Sequence, residues 1–418
     1  RAYHIGCSGY ERNTAPHLDA LAARADRYAN AWATSPWTLP SHASLFTGRF
    51  PFEHGAHRRP WKGGRNTNIA GIRDGVPRLT EVFWSLGHRT AAFVANAGYL
   101  RPHFGIEDGF DVYEVEHVRG VDINARALAW LDGLGEREPF FLLVNYMDAH
   151  APYNTEPVAG SGLPGASDDE ELLARLGEAV MEQGREADDL ARRVRAQYDL
   201  GIANADAALG ALLDALARRD RLDDTVVVVA SDHGEFFGEH SIVAHSKDVY
   251  EPVLRIPLVV KHPRQRRGNV IETPASLVDV AALVVGALPE AERQHWAASF
   301  PHAPATHPIL AESHYTMIKD LVNPVYGDRF DRVRIALYEN EWKLIHSSDG
   351  EHELFDLSHD VGEQADLYDA QPSEVHRLSE RMIAILGDDV GGERAPAGAP
   401  LPELSDELLD QLEALGYR

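Results

Sequence analysis

Short apolar runs that end in clusters of polar or turn-forming residues alternate with segments of helical periodicity through about residue 300. Two of the runs, around residues 140–144 and 226–230, are continuously apolar and read as strands, the second of them as a buried one. Residues 16–25 read as a helix capped by Asn13 or Thr14. From about residue 188 to 219, Tyr198, Leu200, Ile202, Ala205 and Leu209 recur at near-helical spacing and predict one long amphipathic helix. Strands separated by helices imply an α/β fold, a doubly wound and mostly parallel sheet flanked by helices.

The pattern changes after a proline-bounded crossing at residues 301–308. Residues 333–338, 342–346 and 353–355 read as short antiparallel strands, with Asp349-Gly350 as a turn, and a helix follows near residues 372–386. Residues 391–402, dense in Gly, Ala and Pro, predict a flexible link to a last short helix at 406–415. The expected organisation is a main α/β domain at 1–305, a small α+β subdomain with an antiparallel sheet at 306–390, and the link and terminal helix at 391–418. Residues 160–186, rich in Gly, Ser, Asp and Glu, predict a surface insertion, either a linker or a lid over a site.

With 418 residues, 44% of them hydrophobic and 25% charged, the chain can bury a large core. Its formal charge of −25 is spread along the sequence and leaves no electrostatic footprint for nucleic acid or an anionic membrane. The cluster Arg264-Gln265-Arg266-Arg267 reads as a solvated loop. Cys7 is the single cysteine, so disulfides do not staple the fold. No run of about 18 apolar residues occurs, so no membrane span is expected of a chain that reads as soluble, cytoplasmic or exported.

Candidate chemistry concentrates where predicted elements end. Thr38 lies in SPWTLPSHASLFTGR, residues 35–49. Pro36 and Pro40 restrict the backbone around it, and Pro40 suits the first turn of a helix through residues 41–46 that Gly48 ends. Thr38 then faces a helix N-terminus, where free N–H groups and the helix dipole favour an anion such as a phosphate or sulfate ester. A threonine in that place is also a common N-cap. The 226–230 run leads into Asp232-His233-Gly234-Glu235, and in open α/β sheets ligands bind beyond the carboxyl ends of strands. A carboxylate beside an imidazole suits a divalent metal, although a capping Asp beside an incidental His has the same sequence. Lys247 is one of five lysines against 35 arginines, and its compact ammonium suits an ester oxygen. His150, after the 139–146 run, is a candidate general acid or contact to a leaving oxygen, a lone histidine at a strand end being otherwise structural.

These residues and further blocks in the same order carry a family resemblance. The chain resembles the sulfatase branch of the alkaline phosphatase superfamily nearly end to end: in GYERNTAPHLDALA (9–22), the 35–49 block, FGIEDGFD (104–111), DAHAPY (148–153), DHGE (232–235), WKLI (342–345), ELFDL (353–357) and LGY (415–417). Two features depart from the family pattern. Sulfatases usually place at the nucleophile a Cys or Ser that is oxidised to formylglycine, with Pro two residues on and Arg four residues on. Here Thr38, Pro40 and His42 occupy those positions. Threonine is not a substrate for that maturation, and superfamily members with a threonine nucleophile act on phosphorus. The second departure concerns an Asp-Thr-Leu-Arg turn that follows the first strand in close family members and supplies a metal-binding Asp. This sequence begins Arg1-Ala2-Tyr3-His4, at the Arg of that turn, so the first strand and its ligand are expected to be missing from it.

The resemblance therefore implies a metal-dependent hydrolase of phosphate esters (phosphodiester, phosphomonoester or phosphonate) acting through a phosphothreonine on Thr38. Sulfate-ester hydrolysis without formylglycine and phosphoryl transfer to an alcohol are the alternatives. It implies one divalent cation, Ca, Mg, Mn or Zn, held by Asp232, His233 and Thr38. His245 and Lys247 would contact the phosphoryl oxygens, His150 the leaving oxygen, and His42 would stand for the usual Arg. The expected partner is a small-molecule phosphate or sulfate ester.

Overall fold

The computed structural model describes residues 1–60, 69–153, 163, 171–182, 185–317, 326 and 328–387. The main body is α/β, with two principal sheets. One is three-stranded and wholly parallel, in the order Val112–Val115, Arg89–Val94, Phe140–Asn145. The other is four-stranded, in the order Asn269–Ile271, Asp26–Tyr28, Leu258–Lys261, Val227–Ala230. Leu258–Lys261 runs antiparallel to both its neighbours, which makes the second sheet mixed. Asp26–Tyr28 and Asn269–Ile271 pair in parallel.

The two continuously apolar runs are strands, but not fully buried ones. Phe140–Asn145 and Val227–Ala230 are half-buried along their whole length, whereas Arg89–Val94 is buried from Thr90 onward. The reason is pairing: among the described residues, each of the two has a strand neighbour on one side only.

The long helix Arg185–Arg218 lies against Pro16–Ala22, Gly120–Asp132 and Leu172–Glu182. Leu209, Leu213 and Leu216 join Leu18, Leu21 and Leu131 in one apolar cluster, while Leu190, Val194 and Tyr198 join Leu172, Leu176 and Val180 in another. Its Glu186–Arg218 stretch is long and apolar enough to cross a membrane, yet 56% of its most apolar window is buried inside the protein. Its apolar side faces these helices, as in the core helix of a globular domain.

Two local expectations are corrected. The first helix spans Pro16–Ala22 and is capped by neither Asn13 nor Thr14. Asp206, from the long helix, accepts the N–H groups of His17 and Leu18 at 2.9 and 2.8 Å, and the Thr14 hydroxyl donates to the carbonyl of His4. The expected insertion at 160–186 contains the helix Leu172–Glu182, whose Leu172, Leu176 and Val180 are core residues. Much of the rest of that stretch, and the predicted 391–402 link and 406–415 helix, lie outside the described residues.

The C-terminal sheet is antiparallel and has four strands, Ile309–His314, Val333–Glu339, Trp342–Ser347 and Glu353–Asp356. The helix Pro372–Leu386 packs Leu378, Met382 and Leu386 against Leu310, Ile335, Leu337, Leu344 and Leu354. Ile309–His314 escapes the sequence pattern because its buried residues include Glu312, Ser313 and His314. Lys343 joins this sheet to the main body through a buried contact with Glu251 and also touches Glu363, which follows the sheet.

Candidate active site

Thr38 is the first residue of the helix Thr38–Thr47, and the extended Trp37, at φ −156° and ψ 164°, is its N-cap. The helix thus begins three residues earlier than Pro40 suggests, and no side chain caps it. Gly48, at φ 60°, takes the left-handed conformation that ends it. The Thr38 side chain is buried, and its Oγ1 receives the Asn96 amide Nδ2 at 3.4 Å. One turn on, the Nδ1–H of His42 donates to the Thr38 carbonyl at 3.0 Å. Burial lowers the His42 pKa although Asp232 nearby favours its charged form.

Asn96 is held from three directions. Its N–H donates to Oδ1 of Asn145 at 3.1 Å, and its own Oδ1 accepts from the N–H groups of Gly98 and Tyr99 at 3.1 and 2.9 Å. Asn96 follows the strand Arg89–Val94 and Asn145 ends the neighbouring parallel strand, so both stand at carboxyl ends.

The strand Val227–Ala230 delivers the remaining polar groups. Asp232 accepts the His233 N–H on Oδ1 at 3.0 Å, and His233 donates Nδ1–H to the carbonyl of Gly234 at 2.8 Å. Nε2 of His233 lies 3.5 Å from Oδ2 of Asp232. Gly234 is required by close approach, since a Cβ there would lie 2.2 Å from the carbonyl oxygen of Pro252. Burial would raise the Asp232 carboxyl, but the imidazoles of His233, His42 and His245 hold it at about 2.

Glu235, quoted in the sequence only as part of its block, organises the other half. Its Oε1 accepts His245 Nδ1–H at 3.0 Å and its Oε2 accepts the Tyr153 hydroxyl at 2.9 Å. Burial opposes its ionisation, yet His245 brings it down to about 2. The His245 ring lies 4.4 Å from that of His233 and 5.1 Å from that of His150. Burial, helped by His245, pushes His150 down to about 4, so it is neutral at pH 7 with Nδ1–H given to the Ala151 carbonyl. The next residue, Ser246, donates its N–H to the Pro36 carbonyl at 2.9 Å and ties this loop to the Thr38 block. Lys247 is buried, with Nζ 3.4 Å from the His245 carbonyl and 5.5 Å from the Tyr326 ring centre. Arg1 is also buried beside this half, its guanidinium on Glu239 and on the Glu235 carbonyl.

Thr38, His42, Asp232, His233, His245 and His150 are therefore linked in one continuous set of contacts. Lys247 joins it through the backbone. Asn96, Asn145 and Glu235 are the members that sequence reasoning missed, and the available signal was an Asn at or just past the carboxyl end of each of two apolar strands.

Asp232 Oδ2 and His233 Nε2 face each other at 3.5 Å, and a carboxylate oxygen beside an imidazole nitrogen fits two ligands of a divalent ion. Among the described residues, no group of three His, Cys, Asp or Glu side chains forms a complete metal cluster. Together, the parallel-rich sheet, the hydroxyl at a helix start and the carboxylate–imidazole pair at a strand end agree with the fold class of the alkaline phosphatase superfamily.

More narrowly, the chain belongs to the sulfatase family, whose sequence profile matches residues 1–290. It is 26% identical over 339 residues to the uncharacterized sulfatase YidJ of Escherichia coli (strain K12), covering 66% of this chain and 63% of that protein. It is 23% identical over 432 residues to arylsulfatase K of Homo sapiens, covering 89% of this chain and 77% of that one. The fold matches a 2-O GAG sulfatase with a TM-score of 0.69 at 17% identity, over 96% of both chains. It also matches the phosphonate monoester hydrolase of Silicibacter pomeroyi with a TM-score of 0.64 at 19% identity, over 89% of this chain and 90% of that one. The fold thus spans enzymes named for sulfate and for phosphonate esters.

Proposed function

We propose that the chain hydrolyses phosphate esters, phosphodiester, phosphomonoester or phosphonate, through a covalent phosphothreonine on Thr38. The observation that carries this reading is Thr38 itself. It is a residue that formylglycine maturation does not accept, yet it opens a helix, caps nothing, and receives a positioned amide on its oxygen.

Asp232, His233 and the Thr38 hydroxyl would hold a divalent cation, which when bound lowers the pKa of a hydroxyl and polarises a phosphoryl oxygen. Thr38 Oγ attacks phosphorus in line; the Oγ–P bond forms as the ester P–O bond breaks. The hydroxyl proton leaves Thr38 as the Oγ–P bond forms and is returned to the leaving oxygen, which His150 orients, while His245, its Nδ1 held by Glu235, contacts a phosphoryl oxygen. Water attacks the phosphothreonine, the Oγ–P bond breaks, and Thr38 recovers its proton. Lys247 and the free N–H groups at the start of the Thr38 helix balance charge on the phosphoryl oxygens, at about 3 kcal/mol per donor in comparable sites.

The sulfatase names of its relatives favour a second reading, sulfate-ester hydrolysis by the unmodified threonine. Both are tested by assaying aryl phosphate mono- and diesters, phosphonates and sulfates with Mg, Mn, Ca and Zn, for wild type and T38A. Turnover of phosphorus esters, lost in T38A, with phosphate trapped on Thr38 by mass spectrometry, is the expected result. Turnover confined to sulfates, or undiminished in T38A, overturns it.

A further inference from the structure

Beside the Thr38 helix lies a group of buried hydrogen-bond donors that the mechanism above does not use. Trp37 Nε1, Arg58 Nη1 and Arg101 Nη1 are all buried and have no acceptor among the described residues. Arg58 is 1% exposed and Arg101 9%. The Arg58 guanidinium stacks 3.9 Å over the Trp37 ring and reaches the Tyr99 hydroxyl only at 3.4 Å. The Arg101 guanidinium lies 5.5 Å from the Phe104 ring centre, and burial lowers its pKa while Tyr99 raises it. Tyr99 in turn packs edge-on to Trp37 at 5.0 Å, and its N–H is held by Asn96, the residue that touches Thr38 Oγ1. Arg58 is thus anchored on the tyrosine that adjoins the candidate nucleophile, and Arg101 follows that tyrosine by two residues.

No ion pair joins Arg58 or Arg101 to a carboxylate among the described residues. The nearby Glu312 is engaged by His314 at 2.9 Å, and the His314 ring stacks 4.1 Å from that of His57. His57 does not compete for an anion as a cation, because burial and His314 push it down to about 3. A buried charge with no counterion and an unpaired N–H group is costly, and stacking on an aromatic ring offsets only part of that cost. Two such charges with an indole N–H form a donor set for an oxyanion, and Arg matches carboxylate, phosphate and sulfate oxygens in a planar fork.

We propose that Arg58, Arg101 and the Trp37 indole form a specificity subsite for a second anionic group on the substrate. The alcohol part of the ester then carries a carboxylate or a further sulfate or phosphate. This rests on the ester-hydrolase reading but not on whether the ester is of phosphorus or sulfur.

The test compares kcat/KM for phenyl esters with that for their ortho-, meta- and para-carboxyphenyl counterparts, as phosphates and as sulfates, in wild type, R58M, R58K and R101M. At least one charged isomer should be preferred by wild type on the order of 10- to 100-fold, and that ratio should collapse in R101M and R58M and shrink in R58K. R58K and R101M keep the comparison valid if R58M does not fold. In parallel, calorimetry of benzoate binding to T38A should give a signal that R101M abolishes. Benzoate binding without turnover of any ester would overturn the hydrolase reading and leave the subsite standing. Equal kcat/KM for all isomers, or a preference that survives in both R58M and R101M, overturns the subsite.

Discussion

Nδ1 of His42 lies 3.6 Å from Oδ2 of Asp232 while its N–H reaches the carbonyl of Thr38, so one imidazole connects the start of the helix to the end of the Val227–Ala230 strand. An arginine in this place would bring a fixed charge, whereas burial favours a neutral ring at His42. Replacing His42 by Ala removes a hydrogen bond and leaves a small void. We expect a loss of about 1–2 kcal/mol in stability and about tenfold in kcat. Thermal melts and steady-state kinetics check this, and an unchanged kcat would exclude His42 from the working site.

Asn96 should matter more for rate than for binding. Its Nδ2 is aimed at Thr38 Oγ1 while its Oδ1 holds the turn at Gly98 and Tyr99, so N96A removes both the donor and its anchor. By analogy with other preorganised donors, kcat should fall on the order of 100-fold with a smaller change in KM. N96D keeps the shape and the turn but puts an acceptor where a donor was, and should be no better than N96A. Activity of N96D near wild type would mean that the contact to Thr38 is incidental.

What could be read in advance was local. Thr38, Asp232, His233 and His150 each sit where an apolar run or a helix begins or ends, which a single stretch of chain reveals. The Pro372–Leu386 helix shows in its own periodicity for the same reason. Asn96 is different, because its meaning depends on Arg89–Val94 lying beside Phe140–Asn145, a pairing that neither strand encodes alone. Asp206 capping a helix 189 residues earlier, at His17, is equally non-local. Full burial was misjudged at Val227–Ala230 because an apolar run reports affinity for a sheet interior, not the neighbours actually present.

The junction with the C-terminal sheet should be sensitive to pH through Glu363. Burial, reinforced by the charge of Glu251 and opposed by Lys343, pushes its pKa up from 4.5 to about 7. The folded state therefore holds this proton more tightly than the unfolded chain does. Its contribution is fully present below about pH 4.5 and is lost as pH rises through about 7. E363Q cannot ionise, so its Tm should fall less than that of wild type between pH 5 and pH 8. Parallel Tm profiles for the two proteins would show that Glu363 is not the titrating group.

The Asp232–His233 pair makes a prediction that does not depend on finding the substrate. Its Oδ2 and Nε2 face each other at 3.5 Å, so a divalent ion that takes both as ligands binds the folded chain in preference to the unfolded one. Such an ion should raise the Tm of wild type, with a stabilisation that grows logarithmically with ion concentration above Kd and reaches about 2.7 kcal/mol at a hundredfold excess. Chelation should reverse the shift. D232N keeps the size of the side chain but replaces a charged ligand by a weak neutral one, so its Tm should no longer respond to Mg, Mn, Ca or Zn. H233A should weaken the response less, because it leaves the carboxylate in place. A response in D232N equal to wild type would locate the cation elsewhere, and Thr38 would then need another source of activation.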